Sequence, residues 1–329
     1  MTVSDTPFET LFRTSPFLAD FFKSQNLPPP ELSRTPDRYF AGLSADTLSV
    51  LGLDARELAD RFERFAAQLE DLARRDAPLQ RLEILGGRDK RGIPEGVRSL
   101  ALSPGDLLAI VGPTGAGKSR LLEDIECLAQ GDTPTGRHIR INGRAPAEEE
   151  RFGGDTRLVA QLSQNMNFVV DLCVADFLTL HAESRLVEDP HHVVAQVLQI
   201  ANELAGEPFA PETPVTALSG GQSRALMIAD TACLSRSPIV LVDEIENAGI
   251  DRDRALEWLV RQEKIVLLVT HDPELALSAP RRLVVREGGM AALVIRSEAE
   301  NGVHAQLKTW SRVQRHLRNE MRAGHELAL

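Results

Sequence analysis

Eight residues, Gly-Pro-Thr-Gly-Ala-Gly-Lys-Ser at 112–119, have the types and spacing to hold a phosphate chain. They fit the pattern G-x-x-x-x-G-K-[ST] between an apolar run, DLLAIV, and a helical pattern, RLLEDIECLAQ. Backbone N–H groups of Gly112, Pro113, Thr114, Gly115, Ala116 and Gly117 (all but the proline) would wrap the phosphates at a helix N-terminus, whose dipole favours anions. Lys118 would reach the β- and γ-phosphates, Ser119 would ligate Mg2+, and Arg120 follows in the same turn. A chance glycine-rich turn with this pattern arises in roughly one chain in a hundred of this length. The flanking strand and helix patterns argue against that plain reading.

Four further places could serve phosphate chemistry. Asp243-Glu244 ends the apolar run SPIVLV, putting two carboxylates at the mouth of a buried strand. The alternative for such a pair is a loop cap or a surface ion pair. Leu-Ser-Gly-Gly-Gln at 218–222 begins a helix pattern, so Ser219, Gly220 and Gly221 could offer a second set of backbone donors. Ser219 as an ordinary helix cap describes the same geometry without a ligand. Gln164 ends the strand pattern RLVAQLSQ, and His271 follows KIVLLVT; either alone reads as polar surface. Phosphoryl transfer needs mainly positioned charge and an oriented nucleophile, so these few residues would suffice.

Taken in order and spacing, the five segments resemble ATP-binding cassette (ABC) ATPases over roughly residues 80–295. Ser219 lies 101 residues after Lys118 and 24 before Asp243, and His271 lies 28 after Asp243. The resemblance implies an α/β P-loop NTPase domain of ABC type, a mixed core sheet plus a helical subdomain, with ATP and Mg2+ as ligands. It implies that Asp243 holds Mg2+ through its water shell and that Glu244 polarises the attacking water. Gln164 would touch Mg2+ and that water, with Gln161 as the alternative, and His271 would contact the γ-phosphate. Ser219, Gly220, Gly221 and Gln222 would face the γ-phosphate held by another subunit, so that a homodimer sandwiches two ATPs.

Two departures from the family pattern stand out. Many ABC ATPases stack the adenine on an aromatic residue upstream of the phosphate loop, but RLEILGGRDKRGIPEGVRSL has none. Arg88, Lys90 or Arg91 could stack instead, or a partner domain could supply the ring. The family's usual continuation after the acidic pair is Pro-Thr-Ser-Ala-Leu-Asp. Here Ile245-Glu246-Asn247-Ala248-Gly249-Ile250 intervenes, and Asp251 falls eight residues after Asp243. The hydrolytic pair is retained while the segment expected to couple two active sites is rebuilt. In this it looks closer to soluble, non-transport members of the class.

The elements that must position these groups are legible as patterns. From residue 79, short apolar runs (LEIL, DLLAIVG, HIRING, RLVAQL, PIVLVDE, KIVLLVTH, RLVVRE) alternate with helical patterns, as in an α/β domain. Its helical subdomain is expected at about 165–222. Residues 1–78 differ, holding eight of the 12 Phe and the one Tyr, and read as a small helical domain of unknown role. Asp54 and Glu57 form a capping box, Leu53 and Leu58 a staple, and Leu58, Phe62, Phe65, Leu69 and Leu72 follow at helical spacing. Ser15-Pro16 is expected to start another helix. Residues 296–329 are expected to form a C-terminal helix with a basic face at Lys308, Arg312, Arg315, Arg318 and Arg322. That helix is read as docked on its own domain or a sister subunit, with the basic face solvated. The sharper reading is an arm for an acidic partner.

The 329 residues carry a net charge of −11, which opposes non-specific binding to nucleic acid. No apolar run approaches the length of a membrane span, and MTVSDTPFETLF lacks the layout of a signal peptide. A cytoplasmic location without direct membrane insertion is expected. Cys127, Cys173 and Cys233 have no metal-site spacing and read as small core residues in a reducing compartment. The leading functional expectation is an ATPase whose ATP-driven dimer closure does conformational work on a protein partner. The alternatives are the nucleotide-binding subunit of a transporter, with a membrane permease as that partner, and an ATP-gated regulatory or nucleic-acid-linked module.

Overall fold

The computed structural model describes residues 3–15, 18–75, 78–152, 158–163, 168–185, 187, 189–243, 245 and 249–327. The chain divides into two compact units, 1–78 and 79–329.

The first unit contains α1 (Phe8–Thr14), α2 (Ala19–Ser24), α3 (Pro36–Ala41), α4 (Ala45–Leu51) and α5 (Ala55–Arg75). Its interior is aromatic: Phe8, Phe21, Phe22, Tyr39, Phe40 and Phe62 are buried and meet mainly edge to face. Such contacts add about 0.5–1.5 kcal/mol per pair beyond burial. The expected capping box at α5 is present: Glu57 N–H donates to Asp54 Oδ1 at 2.7 Å and Asp54 N–H to Glu57 Oε2 at 3.2 Å. Ser15 ends α1, its N–H donating to Leu11 O, while its own carbonyl accepts from Leu18 N–H, and α2 begins at Ala19. The helix start expected at Ser15-Pro16 falls on residues 16–17, which lie outside the described residues.

The second unit begins with β1 (Leu82–Leu85), β2 (Ser99–Leu102), β3 (Leu107–Val111), α6 (Lys118–Glu126), β4 (His138–Ile141), α7 (Glu148–Phe152) and β5 (Val159–Leu162). Next come the helices α8 (Val174–Ser184), α9 (Pro190–Leu204) and α10 (Gly220–Cys233). It ends with β6 (Ile239–Asp243), α11 (Arg252–Arg261), β7 (Ile265–Val269), α12 (Pro273–Ser278), β8 (Arg281–Arg286), β9 (Gly289–Ile295) and α13 (Glu298–Ala323). Two sheets result. The smaller is antiparallel in the order β2-β1-β4, with Leu82, Ile84, Leu100, Leu102, Ile139 and Ile141 on its buried face. The larger runs β5-β6-β7-β3-β8-β9, parallel except for the antiparallel β8–β9 pair. Its central strands are buried on both faces, which explains why IVLV and IVLLV are continuous apolar runs. Each such side chain contributes about 1.5–3 kcal/mol by burial. The two strands absent from the sequence expectation, β2 and β9, are short or glycine-led and partly exposed.

Parallel registry sets the site. Asp243 on β6 stands opposite Val269 on β7, and Val269 stands opposite Ile110 on β3. Asp243 at the end of β6 and the segments that carry Gly112 and His271 therefore lie along one carboxyl edge of the sheet. That crevice is where open α/β sheets bind ligands.

Candidate nucleotide site

The phosphate loop runs from β3 into α6, and three of its glycines have physical reasons to be glycine. Gly115 and Gly117 adopt φ of 76° and 99°, a region that side-chain-bearing residues avoid. A Cβ on Gly117 would lie 2.7 Å from Gly288 Cα, and one on Gly112 would lie 2.3 Å from Val285 O. The loop is thus pressed against β8 and the turn that follows it, and Gly288 N–H donates to Ala116 O at 2.7 Å. Gly117 is the N-cap of α6 and offers no side-chain acceptor to the first-turn N–H groups, which an anion can then satisfy.

Lys118 is buried, its ammonium donating to Gly112 O at 2.9 Å and lying 3.1 Å from His271 Nε2. A cation folded into a glycine-rich loop at a helix N-terminus fits a polyphosphate. The Ser119 hydroxyl and the Asp243 carboxylate, which could hold a hard divalent ion, lie on two of the segments that meet at this edge. Such an ion takes its other ligands from phosphate and water. Among the described residues no cluster of three or more His, Cys, Asp or Glu side chains forms a separate metal site.

His271 is followed by Asp272, the N-cap of α12, which accepts from Glu274 N and Leu275 N. Arg252, the first residue of α11, donates to Asp272 Oδ2 at 2.9 Å. The histidine segment is thereby fastened to the segment that follows the acidic pair. Gln164 and Glu244 lie outside the described residues, as do Glu246, Asn247 and Ala248. Gln161, the alternative to Gln164, is exposed on β5.

Ser219 caps α10 in a full capping box: Gln222 N–H donates to Ser219 Oγ and Ser219 N–H donates to Gln222 Oε1. Gln222 Nε2 also donates to Glu207 O. No atom comes within 4 Å of a Cβ built on Gly220, so that side of the helix start is open to a ligand. Gly249 has φ 68° and packs on Gly221, a Cβ on it falling 3.6 Å from Gly221 Cα. Next to it, Ile250 bridges Ala205, and Asp251 N–H donates to Leu204 O at 2.9 Å. Residues 249–251 are therefore stitched to the C-terminal end of α9 beside α10.

The basic head groups considered for base stacking are engaged elsewhere. Lys90 Nζ donates to Gly115 O at 3.0 Å, Arg88 Nη1 to Gly92 O, and Arg91 pairs with Glu287 at 2.6 Å. Lys90 is better described as a brace on the phosphate loop, a role its place in the sequence does not signal. The basic face of α13 docks on its own unit: Lys308 pairs with Asp253 at 3.3 Å, Arg315 with Asp251 at 3.7 Å, and Ser311 hydrogen-bonds Glu274. The Arg318 and Arg322 side chains lie outside the described residues.

This combination of sheet, phosphate loop and glycine-led second helix start defines a P-loop nucleotide-binding cassette. The family model described as "ABC transporter" matches residues 97–247. The chain is 47% identical over 249 residues to an uncharacterized ABC transporter ATP-binding protein of Methanocaldococcus jannaschii, spanning 76% of this chain and 95% of the relative. It is 31% identical over 208 residues to the macrolide export ATP-binding/permease protein MacB of Rhodopseudomonas palustris, covering 59% of this chain and 30% of that protein. A solved structure described as an ATP binding subunit of an ABC transporter shares the fold, with a TM-score of 0.50 at 21% identity over 65% of this chain and 89% of that one. The chain belongs to the ABC ATP-binding family.

Proposed function

We propose that the chain hydrolyses Mg-ATP at the interface of a homodimer and uses the closure to drive a membrane permease. The observation that carries the reading is the convergence of Lys118, His271 and the Asp243 strand end on one sheet edge, with a capped, open helix start at Ser219–Gly221. Lys118 and the loop N–H groups would hold the phosphates, and Ser119 and Asp243, with Gln164 or Gln161, would hold the cation. Glu244 and His271 would orient the attacking water. Two relatives support the transporter side: the M. jannaschii protein is named as a transporter ATP-binding protein, and MacB as an ATP-binding/permease protein. Exposed Val169 and Leu180, beside the edge-to-face Phe168–Phe177 pair at 5.0 Å, offer an apolar surface on the helical part for a partner.

A second reading, a soluble protein partner, is favoured by the aromatic unit 1–78 and by the rebuilt segment at 249–251. The test is steady phosphate release by the wild type and its loss in Glu244→Gln, with ATP-dependent dimers accumulating. An affinity pull-down of Glu244→Gln with ATP then separates a multi-span permease from a soluble protein. A wild type that neither turns over ATP nor dimerises, with or without membrane extract, overturns the proposal.

A further inference from the structure

We propose that Arg137 is a positioning residue that holds the phosphate loop in its nucleotide-binding shape. The inference rests on reading 112–119 as the nucleotide site and adds a residue far from it in sequence. Arg137 is fully buried beside two fully buried carboxylates, those of Glu95 and Asp124. Its Nη1 donates to Asp124 Oδ2 at 2.7 Å, its Nε to Glu95 Oε1 at 3.1 Å, and its Nη2 to Gly288 O at 2.7 Å and to Glu95.

Each of these three partners leads to the phosphate loop by a separate route. Asp124 sits on α6, the helix that begins at Lys118. Gly288, whose carbonyl Arg137 holds, donates its own N–H to Ala116 O and lies beneath Gly117. Glu95 closes the 86–95 loop by accepting from Gly87 N, and that loop's Lys90 donates to Gly115 O. One planar fork thus fixes the helix, the turn after β8 and the brace together. A lysine, with a single donor centre, cannot span all three. Stability alone is a weak reason for such a cluster, since apolar replacements of buried ion pairs are often neutral or stabilising. A positioning role accounts for the routes converging on one loop.

The test compares wild type, Arg137→Lys and Thr135→Val, the last removing the hydroxyl that donates to Asp124 Oδ2 at 2.8 Å. Mg-ATP affinity is measured by equilibrium titration, turnover by phosphate release and folding by thermal melting. The expected result is a folded Arg137→Lys with Mg-ATP Kd and KM raised about tenfold and kcat at saturating ATP within about twofold. Thr135→Val is expected to weaken binding about threefold in the same direction. Wild-type affinity in a folded Arg137→Lys, or a loss confined to kcat, overturns the proposal. If Arg137→Lys does not fold, wild-type affinity in Thr135→Val overturns it. A wild type that binds no Mg-ATP refutes the nucleotide-site reading itself, a result distinct from any variant's.

Discussion

Lys118 Nζ lies 3.1 Å from His271 Nε2, so one contact joins the phosphate loop to the segment after β7. The ammonium can only donate, so the imidazole nitrogen accepts and the ring carries its proton on Nδ1. Binding a γ-phosphate would draw the ammonium onto oxygen and free Nε2 to act on the attacking water. His271→Ala is therefore expected to lower kcat for ATP about a hundredfold or more. Its Kd for Mg-ATP should stay within about threefold of wild type, because the phosphate contacts survive. Phosphate release and equilibrium titration check the two halves separately.

Ser219 and Gln222 satisfy each other's backbone groups at the start of α10. Ser219→Ala removes a cap worth about 1 kcal/mol and frays the start of the helix. Nucleotide binding to the monomer should be unchanged, while ATP-dependent dimers of a Glu244→Gln background should be lost. Size-exclusion chromatography with light scattering reads the second effect.

His304 on α13 has a buried Nε2 without a hydrogen-bond partner among the described residues. Burial, then Lys308 and Arg296, hold this imidazole below its ordinary range, while Asp253 and Glu274 pull the other way. A group depressed in the folded state contributes stability above its unfolded pKa, near 6.5 for histidine, and loses it as pH falls through the folded value. Docking of α13 should therefore loosen on acidification from pH about 7.5 to about 5.5. Hydrogen exchange along 298–323 would report it, and His304→Leu should flatten the dependence.

Burial pushes the Cys233 thiol up to about 11, with Asp230 adding to the shift and Lys264 opposing it. At pH about 8 the native thiol is almost wholly protonated, whereas the unfolded one is appreciably thiolate. Iodoacetamide should leave Cys233 unmodified in the native protein and label it fully in denaturant, as read by peptide mass spectrometry.

Chemistry written in contiguous residues was legible before the fold. Gly112–Ser119, the Asp54–Glu57 box and the apolar cores of β6 and β7 depend on local spacing, and each forms the element its pattern implies. The failures have local causes too. Strand β2 is four residues long, with only Leu100 and Leu102 buried. Strand β9 hides behind Gly289 and an exposed edge. Pairings across long separations leave no trace in a single sequence. Arg137 meets Glu95 from 42 residues away, and the basic face of α13, expected to be solvated, finds Asp251 and Asp253 on the same chain.

The stitch between α9 and the segment at 249–251 has a mechanical consequence. Because Asp251 donates its backbone N–H to Leu204 O and Ile250 bridges Ala205, a rotation of the α9 terminus drags the start of α11 with it. Arg252 passes that displacement to Asp272, next to His271. Motion of the helical layer and tilt of the imidazole would then share one lever arm, main-chain between α9 and Asp251 and side-chain between Arg252 and Asp272. Side-chain replacement at 250 or 251 would leave that lever intact; removing the amide hydrogen at 251 would sever it.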